Sequence, residues 1–68
     1  MVVKNLIKLI DRKDETTITM FDQKTGELVY DGLVSKVPKS YIDLEILSIT
    51  ALEYDFIEIV VNNHEFNE

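Results

Sequence analysis

Four side chains in the stretch VSKVPKSYIDLEI, residues 34–46, are of types that can hold an anion. Lys36, Lys39, Ser40 and Tyr41 offer two cations, a hydroxyl and an aromatic ring. Such a set can neutralise a phosphate and stack on a base, and across a symmetric interface two such loops would build a pocket that neither copy has alone. Alternatively, Tyr41 and Ile42 plug the open end of a core while the lysines stay hydrated. Nothing in the spacing demands phosphate chemistry: Gly26 and Gly32 are the only glycines, so no glycine-rich phosphate loop exists. A second group, Glu53, Tyr54, Asp55, Phe56 and Glu58, interleaves rings with carboxylates. That is the composition of a protein-binding patch in which the rings anchor and the acids steer a basic partner. Its plain alternative is a hairpin end with Phe56 buried.

Catalysis finds less to work with. His64 is the only histidine and sits among Asn62, Asn63 and Glu65. A catalytic histidine needs an orienting partner and a rigid mount, and a metal needs several convergent ligands; neither is visible there. The carboxylate pairs Asp14–Glu15 and Glu53–Asp55 lack the spacing of a calcium loop and read as turn residues. With no cysteine, there is no disulfide framework, thiolate zinc site or thiol nucleophile. The expectation is a protein that is not an enzyme and calls for no cofactor and no metal.

Length and charge narrow the field further. Sixty-eight residues make one domain, near the lower limit for folding without disulfides or metal. Apolar residues make up 46 % and charged residues 29 %, the balance of a folded chain with a real core. Every lysine and arginine precedes residue 40, whereas Asp43, Glu45, Glu53, Asp55, Glu58, Glu65 and Glu68 follow it unopposed. A net charge of −6 repels phosphate backbones, which argues against general nucleic-acid binding, and the acidic half suits either a solvated face or a basic partner. Apolar runs such as Ile59-Val60-Val61 fall far short of the roughly 20 residues that span a bilayer, and no signal-peptide pattern opens the chain. The reading is a cytoplasmic protein without a membrane partner.

Several elements must position these groups. Val3, Leu6, Ile7 and Ile10 recur at helical spacing, which predicts an amphipathic helix over 1–11. TTITMFD, residues 16–22, sets Ile18 and Met20 against Thr17, Thr19 and Phe21, as a half-buried strand would. Gly26 can take the positive φ of a hairpin turn before a second strand over 27–34, in which Asp31-Gly32 marks a bulge or bend. Pro38 suits the first turn of a short helical segment, and strands over 44–53 and 55–61 follow. The fold class expected is α+β: an N-terminal helix packed on a four-stranded antiparallel sheet, with a short helical turn between strands 2 and 3. Residues 1–61 form the domain and 62–68 a frayed, flexible tail. One helix covers only one sheet face. Leu44, Ile46 and Leu52 on the third strand, with Phe56 and Val60 on the fourth, are expected on the other face as a homo-oligomer interface.

With VKNLIKLIDRKDETTITMFD, TGELVYDG and VPKSYIDLEILSI in view, the chain resembles short accessory proteins of phages and prophages of low-GC Gram-positive bacteria, over about residues 3–61. In these, a helix ending near Ile-Asp leads to a hairpin with Thr-Gly-Glu, a Val-Pro turn and two closing strands; Glu53-Tyr54-Asp55 departs from the pattern, where a glycine-containing turn is expected. The resemblance implies an α+β fold and a phage setting. By analogy with small acidic phage proteins, the function expected is non-catalytic inhibition of a host component, of a bacterial anti-phage defence system, by occlusion or sequestration. Its partner would be a host protein bound through Glu53, Tyr54, Asp55, Phe56 and Glu58. The alternative partner is a small nucleotide signal, held by a homo-oligomeric sponge through Lys36, Lys39, Ser40 and Tyr41. A third reading is an assembly module with no ligand.

Overall fold

A computed structural model describes residues 1–63. The helix predicted from the apolar spacing is present but short, α1 over Val3–Lys8. Its start is fixed twice. The Asn5 side chain accepts from the Val2 N–H at 3.0 Å, and the N–H groups of Val3 and Lys4 donate to the carbonyls of Leu44 and Ile42 at 2.9 and 2.8 Å. Helix N–H groups without intrahelical partners are therefore taken up by the segment that follows Pro38. Ile7 and Ile10 carbonyls close the far end: Ile10 N–H donates to Ile7 and the Lys13 ammonium to Ile10 at 2.7 Å. The apolar stripe continues past the helix proper, because Ile10 still packs against the core.

Four strands follow: β1 (Thr17–Asp22), β2 (Leu28–Leu33), β3 (Glu45–Leu52) and β4 (Phe56–Asn62). They form one sheet in the order β2-β1-β4-β3. The two hairpins are antiparallel, as expected, but β1 and β4 run parallel at the centre, so the sheet is mixed rather than purely antiparallel. Burial explains the arrangement. β1 and β4 alternate cleanly and send Ile18, Met20, Ile57, Ile59 and Val61 into the core. A strand with that much apolar surface on one face is best placed centrally, and β2, with Asp31 and Gly32, and the irregular β3 take the edges. The connection between β2 and β3 carries two 3-10 turns, Val34–Lys36 and Lys39–Tyr41, in place of a single turn, and crosses to the far side so that β4, not β3, meets β1.

Three local details differ from the sequence reading. The β1–β2 irregularity falls at Val29, between the pairs Met20–Tyr30 and Phe21–Leu28, while Gly32 pairs in register with Ile18. Gly32 instead makes room for the ring of Tyr30, as a Cβ there would lie 2.8 Å from the Tyr30 hydroxyl. Gly26 does take the expected positive φ, 76°. β3 is bulged twice, between Ile46 and Ser48 and between Ile49 and Ala51. At the end of β4, Asn62 belongs to the strand and the Asn63 N–H donates to the buried Asp22 carboxylate at 3.2 Å, so these two residues are held to the fold and are not part of a frayed tail. Residues 64–68 of that tail, with His64, lie outside the described residues.

Candidate functional site

α1 covers one side of the sheet, and among the described residues no helix lies on the opposite, open side. Alternation on β4 places Phe56, Glu58, Val60 and Asn62 there, all half-buried. The parallel register sets Thr17 beside Phe56, Thr19 beside Glu58 and Phe21 beside Val60. From the edges, Asp31 and Leu33 join opposite Thr19 and Thr17, and Glu45 and Ser48 opposite Asn62 and Val60. Rings and carboxylates are thus interleaved across the middle of the face.

Two of the carboxylates are held in place. The Thr19 hydroxyl donates to Asp31 at 3.1 Å, and the Thr50 hydroxyl lies 2.9 Å from the Glu58 carboxylate. No lysine or arginine occurs in any of the four strands; all seven lie in α1, the loops or the 3-10 turns. Within the strands, therefore, no cation offsets Asp31, Glu45 and Glu58.

The acid and aromatic group around the last turn divides between two sides. Phe56 and Glu58 lie on the open face, while Glu53, Tyr54 and Asp55 form the turn, closed by the Glu53 N–H to the Phe56 carbonyl at 2.8 Å. Tyr54 is 79 % exposed and leans to the helix side. There the Arg12 guanidinium stacks 5.2 Å from its ring centroid, donates to its hydroxyl and pairs with Glu15. Below them lies an open cleft of about 240 Å³, with Ile10, Thr16, Leu52 and Ile57 in its lining.

Lys36, Lys39 and Ser40 are exposed on the two 3-10 turns. Tyr41 is half-buried and packs on the core, tilted 58° against Tyr30 with centroids 6.5 Å apart. It borders a cleft of about 220 Å³ whose other walls include Asp22, Thr25 and Glu27. The tyrosine therefore faces carboxylates on one side and the core on the other, a setting unlike a phosphate cradle.

The set expected at an oligomer interface is also split. Leu44 is buried in the core, its carbonyl bound to the helix N-terminus; Ile46 and Leu52 pair with Val61 and Ile57, on the helix side; only Phe56 and Val60 lie on the open face. The two bulges in β3 move Ile49, which strict alternation sets opposite Ile46 and Leu52, onto their side, so these apolar residues of β3 gather on the helix side and not on the open face. Phe21, Asp31 and Thr19 were not singled out by type or spacing. The signal for Phe21 was its alternation against Ile18 and Met20, which acquires meaning once β1 is a central strand. Among the described residues, no group of three or more His, Cys, Asp or Glu side chains is placed to hold a metal ion, and no helix is long and apolar enough to cross a membrane. Comparison with known proteins gives no match: no family model, no curated protein and no solved structure is similar to this chain.

Proposed function

We propose that the protein is a non-enzymatic binding protein that acts by occlusion, laying its open sheet face on a basic, partly apolar surface of another protein. One juxtaposition carries this reading: Phe21, Phe56 and Val60 lie half-buried on a face whose strands bear Asp31, Glu45 and Glu58 and no lysine or arginine. The rings supply contact area at the centre. Carboxylates already held by threonine hydroxyls supply oriented charge, which speeds encounter and rejects acidic partners. The resemblance to phage accessory proteins supplies the setting, a host component of anti-phage defence in the bacterial cytoplasm. The nucleotide-sponge alternative has less support, because Tyr41 packs on the core beside Asp22 and Glu27.

The test is phage plating on defence-carrying Gram-positive bacteria that express the protein. Wild type and Lys36→Ala/Lys39→Ala should both restore plating. Phe56→Ser/Glu58→Lys, checked for folding by circular dichroism, should not. Loss of the effect in the lysine variant, with the open-face variant still active, would reverse the reading in favour of the sponge.

A further inference from the structure

The cleft beside Tyr54 has in its wall a polar group that the fold does not use. Thr16 precedes β1 and by alternation shares the helix side with Ile18 and Met20; it is only 5 % exposed. Its carbonyl accepts from the Val34 N–H at 2.9 Å, but among the described residues no group bonds to its hydroxyl. Among the same residues, no side-chain polar atom that lacks a partner is sealed from solvent. This hydroxyl therefore opens outward, and the opening that Thr16 borders is the cleft of about 240 Å³. Buried Ile57 and half-buried Ile10 supply apolar wall beside it.

Charge around the cleft is one-sided. The two segments that build it, residues 10–16 and 52–57, carry Asp11, Asp14, Glu15, Glu53 and Asp55 against Arg12 and Lys13. Both cations are engaged, Arg12 with Glu15 and Tyr54 and Lys13 with the Ile10 carbonyl. Asp11 and Glu53, which line the cleft, form no ion pair among the described residues. An anion would meet these carboxylates, and a wholly apolar group would strand the Thr16 hydroxyl.

We propose that this cleft receives a lysine side chain of another protein. The aliphatic stem lies on Ile10, Leu52 and Ile57, the ammonium donates to the Thr16 hydroxyl, and Asp11 and Glu53 supply the opposite charge. A compact ammonium with rotatable donors suits one hydroxyl and two separate carboxylates better than the planar fork of arginine does. The cleft is smaller than the roughly 300–1,000 Å³ of pockets for drug-sized ligands, which matches a single side chain. Its rim favours a lysine carried by a peptide over a free amine. Leu52 and Tyr54, 68 and 79 % exposed, offer contact area to the residues on either side of the lysine. The cleft lies on the helix side, and this inference does not depend on the open face.

Amide NMR titration of isotope-labelled protein tests it. The blocked peptide acetyl-Ala-Lys-Ala-amide should shift the amides of Thr16, Glu53 and Tyr54 saturably. The same peptide acetylated on the lysine amine, which removes the charge, should bind about tenfold more weakly, and n-butylamine more weakly than the lysine peptide. Thr16→Val, which keeps the shape and removes the hydroxyl, should weaken the lysine peptide about tenfold, as should Asp11→Asn/Glu53→Gln. If Thr16→Val does not fold by circular dichroism, the charge variant decides. Equal binding of the acetylated peptide, undiminished binding in either folded variant, tighter binding of n-butylamine, or shifts confined to Thr19 and Glu58 on the open face would each overturn the proposal.

Discussion

Replacing Gly32 by alanine probes the least obvious packing decision in the sheet. The backbone at Gly32 needs no glycine: of the two glycines only Gly26 has positive φ. The added Cβ, however, would lie 2.8 Å from the Tyr30 hydroxyl oxygen and 3.2 Å from Cζ. Tyr30 has little freedom to retreat, since its hydroxyl donates to the Leu33 carbonyl at 2.8 Å and its ring rests against the core and Tyr41. Overpacking of this kind costs about 1–3 kcal/mol, and losing the hydroxyl's bond adds about 1 kcal/mol. Reduced entropy of the unfolded chain returns about 0.4–1 kcal/mol. The net expectation is a loss of about 1–3 kcal/mol, or roughly 5–20 °C in Tm for a domain this small. Urea denaturation of Gly32→Ala, Tyr30→Phe and the double variant measures it. Because Tyr30→Phe removes the closest atom, Gly32→Ala should cost about 1 kcal/mol less in that background. A neutral or stabilising Gly32→Ala, or an equal loss in both backgrounds, would refute the packing argument.

Asp22 is buried and accepts from the Thr25 N–H and hydroxyl at 3.0 and 2.9 Å and from the Asn63 N–H. Asp22→Ala should lower stability by roughly 2–4 kcal/mol through unpaired donors at about 1–3 kcal/mol each, and a change under 1 kcal/mol in urea denaturation would contradict this. Burial, followed by the charge of Asp31, raises the Tyr30 hydroxyl above its ordinary pKa. Folding therefore favours the protonated phenol: this contribution is complete below about pH 10, the ordinary tyrosine value, and is lost as pH climbs through the raised one. Alkaline unfolding of Tyr30→Phe should lack that part of the slope; an unchanged slope counts against it. Glu58→Lys leaves the core untouched, and should preserve the thermal midpoint while abolishing partner capture; capture that persists in this variant would remove Glu58 from the site.

Much of the fold was legible because its central strands obey simple alternation. Ile18 and Met20 against Thr17, Thr19 and Phe21, and Ile57, Ile59 and Val61 against Phe56 and Val60, are each found on the sides that period two predicts. Gly26 announced its turn through the conformation only glycine adopts readily. Strand order was not legible, since hairpin signals are local and the parallel β1–β4 pair joins residues about forty positions apart. β3 misled for a different reason. Its bulges sit at Leu47 and Thr50, residues that give no turn signal, and they move Ile46, Ile49 and Leu52 to one side at a spacing of three. Of the candidate site, Phe56 and Glu58 could be named from type and spacing, but their neighbours Phe21 and Asp31 came from other strands and depended on the unseen order.

Site-specific photo-crosslinking in living, defence-carrying bacteria tests the central claim most directly, with the reactive side chain at Phe56 on the open face, at Lys39 on the second 3-10 turn and at Leu9 beyond α1. An open face that receives a basic partner predicts a protein adduct from position 56, absent from positions 39 and 9 and lost when Glu58→Lys is added. Adducts confined to position 39 or 9, or an adduct at 56 indifferent to Glu58→Lys, would contradict it.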